Sequence, residues 1–249
     1  MIDIHAHILP GLDDGSDSPE TSLMMAYAAV ESGVTAIIAT PHCNQRGLYE
    51  NYASPELTGR LERLRGEIKA AGIPLEVYQG MEVFGTRDVP RLLREGKLLT
   101  LNGSRYLLIE FAFREDPLYM DRLVHAILED GVIPIVAHPE RYVHLQDIPD
   151  ILYDWVSDGI GVQINKGSLF GKFGRHAQQL AMALLWNDLV SCVASDAHGA
   201  EMRTTDLVDA QDFLTMEFSG ELAERLLTEN PRRILSDEPL LQGRPAPFS

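Results

Sequence analysis

The sequence predicts an α/β fold in which seven parallel strands alternate with helices and close into a TIM-like (β/α)7 barrel. Seven short apolar segments recur along the chain with amphipathic helical segments between them. Strands that are apolar on both faces and joined by helices are typical of parallel sheets with right-handed crossovers. The 249 residues suit one domain spanning 1–249. An open doubly wound sheet is the alternative, but no glycine-rich phosphate loop follows the first strand.

The first strand covers residues 1–5, where apolar and polar side chains alternate with the period of a half-buried strand. A loop of turn-forming residues leads to the first helix. Ser18 is its expected N-cap, and proline at the next position suits the start of a helix. Leu23, Tyr27 and Val30 are predicted to form the apolar face of this helix.

The other elements continue the alternation of strands and helices. Further strands are predicted at 35–40, 75–79, 106–109, 133–137, 161–165 and 189–194. Ser54 is the expected N-cap of a second helix that ends at Gly72, with Leu57, Leu61, Leu64 and Ile68 facing inward. Further helices are predicted at 89–95, 123–128, 151–156, 177–187, 207–218 and 221–227. The stretch 43–52 is predicted to be a polar loop.

Composition restricts the possible partners and the compartment. The formal net charge of -16 argues against a nucleic-acid partner, because the phosphate backbone would be repelled. No apolar run reaches the roughly 18 residues of a membrane span, and the N-terminus lacks the pattern of a signal peptide. Cys43 and Cys192 cannot form a disulfide framework, so we expect a cytoplasmic protein without membrane insertion.

Side chains with metal-ligand chemistry lie at or just past the C-terminal ends of the predicted strands. They are His5, His7, His42, Glu82, Glu110, His138, Asp196 and His198, with Asp13 or Asp14 as one further carboxylate. In a parallel barrel these ends lie on one face, where active sites are built. Nine nitrogen and oxygen ligands without a thiolate exceed the need of one ion and suit two or three ions of the zinc, manganese or iron type.

A single histidine after a strand is more often a structural residue than a ligand. The metal interpretation depends on five of the eight histidines following strands. The other three, His125, His144 and His176, are expected to be structural or peripheral, with His144 in a loop. Arg141 and Arg203 follow the ligand motifs closely. Each guanidinium could bind a phosphate ester or form an ion pair with the outer side of the metal site.

Two covalent mechanisms are excluded because the sequence lacks the motifs that they need. A cysteine-dependent phosphatase needs Cys-x5-Arg, but Tyr49 stands six residues after Cys43 and His198 six after Cys192. No Gly-x-Ser-x-Gly elbow for serine hydrolysis is present.

The motifs in this order resemble the PHP (polymerase and histidinol phosphatase) superfamily and, more narrowly, the CpsB/CapC/YwqE-type bacterial tyrosine phosphatases. The residues that carry the resemblance are the initial Met-Ile-Asp-Ile-His-Ala-His, Asp13-Asp14-Gly15, Ile109-Glu110-Phe111, His138-Pro139-Glu140-Arg141, Ser195-Asp196-Ala197-His198 and Asn230-Pro231-Arg232. The resemblance covers nearly the whole chain. It implies a seven-stranded PHP barrel with a trinuclear metal site at the C-terminal ends of the strands.

By position, the resemblance implies three ligand sets and two phosphate-binding residues. His5, His7, Glu82 and Asp196 would hold one ion; Glu82, Glu110 and His138 a second, with Glu82 bridging; Asp14, His42 and His198 a third. Asp14 is preferred over Asp13 for this third set. Arg141 and Arg203 match the phosphate-binding arginines of the family. Manganese is the expected metal, with iron or zinc as alternatives.

The function implied is metal-dependent hydrolysis of phosphotyrosine in the tail of a bacterial tyrosine kinase that regulates capsule or exopolysaccharide synthesis. Divalent ions activate water for attack on phosphorus, and Asp14 or His42 could assist as an acid. One alternative is a small-molecule phosphatase of the histidinol-phosphate type on the same fold. Another is a non-catalytic metal-bound module that docks a kinase tail, against which the full ligand set argues.

Overall fold

The computed structural model describes residues 1–248. Within this range the chain forms nine strands: β1 (Ile2–Ala6), β2 (Ala36–Ala39), β3 (His42–Cys43), β4 (Glu76–Gln79), β5 (Glu82–Phe84), β6 (Tyr106–Glu110), β7 (Ile133–Ala137), β8 (Gly161–Asn165) and β9 (Cys192–Ala194). They lie in two sheets, ordered β1-β2-β4 and β3-β5-β6-β7-β8-β9. Every pairing between neighbouring strands in these sheets is parallel. The predicted α/β fold with parallel strands is therefore confirmed.

The predicted count of seven strands is wrong for the described residues, because two predicted strands are each followed by a further short strand, β3 after β2 and β5 after β4. Pro41 separates β2 from β3, and its nitrogen carries no hydrogen to donate to a neighbouring strand. Gly80 separates β4 from β5. The chain passes close to Ile38 here, because a Cβ at Gly80 would lie 2.8 Å from Ile38 Cγ2. After these breaks, His42 pairs with Glu82 in the second sheet. The breaks therefore bring two predicted ligands into neighbouring register.

The first and last strands approach each other where they end. Ala6 forms an isolated parallel bridge with Ala197. The backbone N–H of Asp196 donates to His5 O, and that of His7 donates to Ala197 O, each at 2.9 Å. These bonds place the segments after β1 and β9 side by side.

The described chain has eleven α-helices between and after the strands: α1 (Pro19–Glu31), α2 (Pro55–Ala70), α3 (Val89–Arg94), α4 (Pro117–Glu129), α5 (Val143–Asp147), α6 (Asp150–Ser157), α7 (Lys166–Leu169), α8 (Arg175–Trp186), α9 (Val208–Glu217), α10 (Gly220–Glu224) and α11 (Asn230–Leu235). The predicted caps are confirmed: Ser18 accepts from the N–H of Thr21, and Ser54 from that of Leu57. His144 lies in α5, so its predicted loop position is wrong.

The buried face of α1 differs from the predicted one. Ser22, Met25, Ala26 and Ala29 are buried, whereas Tyr27 is 50% exposed. The buried stripe includes a serine and two alanines, so selection by hydrophobicity alone gave the wrong residues. The four predicted inward residues of α2 are buried as expected. Among the helices of residues 1–248, none combines the length and apolar character required to cross a membrane.

Candidate metal centre

Three ligand atoms form the centre of the site. They belong to His5 in β1, to His7 just after β1, and to Glu82 at the start of β5. His5 Nε2 lies 3.3 Å from His7 Nε2. Glu82 Oε2 lies 3.1 Å from His5 Nε2 and 3.2 Å from His7 Nε2. Two ligand atoms, each about 2.1 Å from the same ion, are roughly 3.0 to 3.4 Å apart. These three atoms therefore have the mutual spacing of ligands to a common ion.

The outer nitrogens of the histidines are occupied in a way that turns the inner nitrogens toward the centre. His5 Nδ1 donates to Gln163 Oε1 at 2.9 Å, and His7 Nδ1 donates to Asp13 Oδ2 at 2.7 Å. His198 Nδ1 donates to the carbonyl oxygen of Asp196 at 3.0 Å. Metal-binding histidines commonly make this second hydrogen bond, which fixes the tautomer and leaves a lone pair for the ion.

Glu82 connects the central donors to two further histidines. Its Oε1 lies 3.0 Å from His138 Nε2, and its Oε2 lies 3.1 Å from His42 Nδ1. Glu110 Oε1 lies 2.9 Å from the same His42 nitrogen. On the other side of His42, Asp14 Oδ1 lies 3.4 Å from His42 Nε2 and 3.5 Å from His198 Nε2.

All nine predicted ligands converge in one cluster. Among the described residues, the groups of three or more side chains that could hold an ion are His7–Asp14–His42–His198, His5–His7–Asp196, His5–Glu82–His138 and His42–Glu82–Glu110. The grouping differs from the three expected sets in that there are four groups, His7 also joins the group of Asp14, and His5 joins Glu82 and His138. Glu110 groups with His42, whereas the resemblance implied that it would group with His138. Glu82 is shared between two groups.

Several buried metal-ligand atoms in the cluster lie close to other ligand atoms but form no hydrogen bond within residues 1–248. They include His42 Nδ1 and Glu82 Oε2. Leaving such atoms unpaired in the interior costs free energy, so a native structure normally provides them with a partner. Divalent cations at the centre would satisfy them and would neutralise four carboxylates that otherwise repel one another. The residues present therefore fit a group of divalent metal ions.

The carboxylates and imidazoles of the cluster shift one another's pKa. Burial lowers the pKa of His7, but the Asp13 carboxylate and its hydrogen bond outweigh burial and raise this pKa to about 9. Burial likewise opposes protonation of His42, yet the carboxylates of Glu82 and Asp14 raise its pKa far above the ordinary value. The hydrogen bond from His198 holds the pKa of Asp14 well below its usual range. The site therefore retains ionised carboxylates, as a cation site requires.

Asp13 and Asp14 have different positions despite being adjacent. Asp13 Oδ2 accepts from both His7 Nδ1 and the backbone N–H of His42, the latter at 2.9 Å. Asp14 reaches His42 and His198 directly, which agrees with the preference for Asp14 as the inner residue. Gly15 makes this loop possible, because a Cβ there would lie 2.3 Å from His7 Cβ. Asp13 therefore orients His7 from outside the cluster.

Strand β8 supplies supporting residues that the sequence analysis missed. Gln163 accepts from His5 and donates through Nε2 to Asn165 Oδ1 at 2.8 Å. Asn165 Nδ2 then donates to Asp196 Oδ2 at 2.6 Å. A continuous hydrogen-bonded path therefore joins His5 to Asp196. The period-2 pattern of β8 placed both amides on one face, and this was the signal available in the sequence.

Asp196 separates the metal-facing side of the site from the arginine side. Its Oδ1 lies 3.5 Å from His5 Nε2 and 3.5 Å from His198 Nδ1. Its Oδ2 lies 3.1 Å from an Arg141 nitrogen and also contacts the Arg203 guanidinium. Both arginines thus lie at the edge of the cluster, where a phosphate would be held by metals on one side and guanidinium groups on the other.

The backbone adopts left-handed conformations at three of these positions. His138, Asp196 and Arg203 have φ values of 37°, 50° and 50°. Non-glycine residues rarely adopt positive φ, and such conformations persist where the surrounding structure holds them. Here they turn the chain sharply after β7 and β9, so that these side chains point toward the cluster.

The cysteines do not take part in this site. Both Cys43 and Cys192 are buried and free. Burial raises the pKa of the Cys43 thiol to about 12 and that of Cys192 still further. A thiol with such a pKa is not a nucleophile near neutral pH.

The family model for capsular polysaccharide synthesis, CpsB/CapC, matches residues 1–236. The chain belongs to the CpsB/CapC family. Tyrosine-protein phosphatase YwqE of Bacillus subtilis (strain 168) is 38% identical over 247 residues, which are 99% of this chain and 96% of that protein. Tyrosine-protein phosphatase CpsB of Streptococcus pneumoniae is 31% identical over 243 residues, 96% of this chain and 99% of that protein.

A solved structure of the CpsB/CapC family is similar to this chain throughout. It comes from the crystal structures of YwqE from Bacillus subtilis and CpsB from Streptococcus pneumoniae, which are described as unique metal-dependent tyrosine phosphatases. The TM-score is 0.93 at 38% sequence identity, with 100% of each chain covered. The fold of this CpsB/CapC family member is therefore close to that of a structurally characterised relative.

Proposed function

We propose that this chain is a metal-dependent protein-tyrosine phosphatase that hydrolyses phosphotyrosine in a bacterial tyrosine kinase regulating capsule or exopolysaccharide synthesis. The convergence of nine metal-ligand side chains beside two arginines carries this proposal. The relatives named tyrosine-protein phosphatases and the metal-dependent solved relatives support the choice of phosphotyrosine. The kinase's phosphorylated tail is the proposed protein substrate.

The proposed cofactor is a group of two or three divalent ions, with manganese preferred and iron or zinc as alternatives. His5, His7, Glu82 and Asp196 are the proposed ligands of a central ion. Glu82, Glu110 and His138 are the proposed ligands around a second ion, and Asp14, His42 and His198 those of a third. Nitrogen and oxygen donors suit each of these metals.

The proposed reaction is direct transfer of the phosphoryl group to water. Bound ions would supply activation of the attacking water and neutralisation of phosphoryl charge. Arg141 and Arg203 bind the equatorial phosphate oxygens through their N–H groups and stabilise the charge that develops there. The leaving phenolate has a pKa of about 10, so it needs less protonation than an alkoxide. Of Asp14 and His42, we propose His42 as the acid that assists the leaving oxygen, because the pKa of Asp14 is held well below its usual range.

Three further features belong to this proposal. The two sheets form one closed PHP barrel, which has seven strands when β2 with β3 and β4 with β5 are each counted as one strand. The bridge between Ala6 and Ala197 and the hydrogen bonds across the strand breaks support this closure. Residues 1–249 form one domain. The protein acts in the cytoplasm, where the kinase tail would be accessible.

The decisive experiment measures phosphate release from a phosphotyrosine peptide and from histidinol phosphate. The protein is depleted with chelator and then supplied with manganese, iron or zinc. We expect metal-dependent release from the peptide, with much slower release from histidinol phosphate. Preference for histidinol phosphate would replace the proposal with the small-molecule phosphatase. Metal-loaded protein that binds the peptide without releasing phosphate would indicate a docking module.

Two histidine variants separate the metal site from general effects of substitution. His138→Ala removes a proposed ligand next to Glu82 and should abolish most of the activity and lower the metal content. His125→Ala is the matched control, because His125 bonds Asp121 and Asp158 outside the cluster. Equal activity of the two variants would contradict the proposed ligand set.

A further inference from the structure

The Arg141 guanidinium packs against two phenyl rings. Its central carbon is 4.7 Å from the ring centroid of Phe113 and 4.2 Å from that of Phe173. The Arg203 guanidinium lies 5.8 Å from the centroid of the same Phe173 ring. Arginine is weakly hydrated and stacks favourably on aromatic faces, and cation–π attraction operates within about 6 Å. Phe173 therefore contacts both arginines of the site.

The position of Phe173 is built by its local chain. The loop between α7 and α8 turns at Gly171 and Gly174, which have φ values of 70° and 94°. The N–H of Lys172 donates to Gly167 O at 3.0 Å, which closes the turn. A Cβ at Gly167 would lie 2.8 Å from Phe173 Cε2, so the missing side chain there leaves room for the ring. These contacts fix the ring on the arginine side of the cluster.

Phe113 is the second ring in contact with Arg141. It follows β6, and its carbonyl oxygen accepts from the N–H of Val143 at 2.8 Å. The Phe113 side chain is 46% exposed although it is large and apolar. Its ring also lies 6.4 Å from the imidazole of His138, measured between centroids. The ring thus covers one face of the guanidinium while remaining at the mouth of the site.

Beside its two ring contacts, the Arg141 guanidinium makes few hydrogen bonds. Within residues 1–248, its one hydrogen bond runs from an Nη atom to Asp196 Oδ2 at 3.1 Å. Arg203 Nε is buried and has no hydrogen-bond partner in that range. The remaining N–H groups can therefore donate to a planar or tetrahedral oxyanion. The two rings restrict the directions from which such an oxyanion can approach.

We propose that Phe113 and Phe173 are positioning residues that clamp Arg141 in the orientation required to bind the substrate phosphate. This inference rests on the proposed function for the identity of the phosphate ester. The rings act through the arginine: they restrict its rotamers before substrate arrives and shield its faces from water. Preorganised donors stabilise developing charge more effectively than mobile ones.

The test compares Phe173→Leu and Phe173→Tyr with a matched control, Phe170→Leu. Phe170 lies in the same loop region and is 39% exposed, but it packs on Phe213 rather than on an arginine. We expect Phe173→Leu to lower kcat/KM for an aryl phosphate about tenfold, which corresponds to about 1.4 kcal/mol. Phe173→Tyr should retain most activity because the aromatic face is kept, and Phe170→Leu should match wild type.

Inorganic phosphate binding, measured by calorimetry on manganese-loaded protein, provides a readout apart from turnover. We expect Phe173→Leu to weaken phosphate binding by a similar factor, with unchanged metal content and thermal unfolding temperature. An active protein whose Phe173→Leu variant binds phosphate as tightly as wild type would refute the clamp. A wild type that binds phosphate but hydrolyses no ester would refute only the proposed function, since the phosphate affinities still test the clamp.

A double-mutant cycle tests whether Phe173 acts through Arg141. If it does, Phe173→Leu should cause little further loss of kcat/KM in an Arg141→Ala background. A tenfold loss in both backgrounds would show that Phe173 acts independently of the arginine and would overturn the proposal. Phe113→Leu, measured in the same two backgrounds, should behave as Phe173→Leu does.

Discussion

Asn165 provides the most informative single substitution outside the proposed ligand set. Its side chain is fully buried and makes two hydrogen bonds, from Nδ2 to Asp196 Oδ2 at 2.6 Å and to Oδ1 from Gln163 Nε2 at 2.8 Å. Asn165→Ala removes both. A bond to a charged group contributes about 1.5–3 kcal/mol and a neutral one about 0.5–1.5 kcal/mol. We therefore expect the free energy of unfolding to fall by about 2–4.5 kcal/mol.

The same substitution should weaken metal binding. Asp196 would lose a donor that holds its carboxylate, and Gln163 would lose the partner that orients it toward His5. Loss of such supporting hydrogen bonds typically weakens metal affinity by about 10–100-fold. Denaturant unfolding of the metal-depleted protein measures the stability change, and calorimetric titration with manganese measures the affinity change.

Asn187→Ala is the control for loss of an amide remote from the cluster. Asn187 precedes β9, whereas Asp196 follows it. The Asn187 side chain donates one neutral hydrogen bond, from Nδ2 to Ala183 O at 2.8 Å. We expect a loss of at most about 1.5 kcal/mol and unchanged metal affinity. If Asn165→Ala lowers stability while manganese binds as tightly as to wild type, the path from His5 to Asp196 supports only the fold, and our reasoning about the metal site fails.

Three other substitutions test separate parts of the site. Arg141→Ala should lower kcat/KM for an aryl phosphate by about 10²–10³ with metal content unchanged; an unchanged value would remove Arg141 from phosphate binding. Cys43→Ser should keep its activity, and wild-type activity should resist thiol alkylation, because the Cys43 thiol is buried with a pKa of about 12; inactivation by both treatments would contradict a metal-only mechanism. Gly15→Ala should lose metal and stability, because its Cβ would lie 2.4 Å from His7 O. Gly66→Ala in α2 is the control, has open space, and should stabilise by about 0.5–1 kcal/mol; equal effects of the two glycine substitutions, measured by thermal unfolding, would refute the steric argument.

Local features of the fold could be predicted because they depend on neighbours in sequence. The caps at Ser18 and Ser54 were correct, since a serine hydroxyl bonds an N–H three residues later. The strand cores of β6 to β8 were also predicted to within one residue. The short strands β3 and β5, which follow Pro41 and Gly80, were missed, because they depend on which neighbouring strand pairs beyond each break.

The identity of the clustered residues could be predicted, but their mutual arrangement could not. Parallel strands bring their C-terminal ends to one face, so ligand-type residues at those ends must converge. The pairing of Glu110 with His42 depends on loop conformations and side-chain rotamers that no local pattern encodes. The first strand shows the same limit: its alternation indicated a half-buried strand, yet all five residues of β1 are buried.

The sequence by itself determined the chemistry of this protein: which side chains are donors, which strand ends carry them and how the helices begin. These properties follow from residue type and spacing along the chain. Only the tertiary structure decided that Asp14 reaches the cluster while Asp13 supports it. It also decided that β8 links His5 to Asp196 and that two phenylalanines contact Arg141. The physical reason is that each of these contacts joins side chains whose distance is set by packing between separate elements, and by the rotamers that this packing permits.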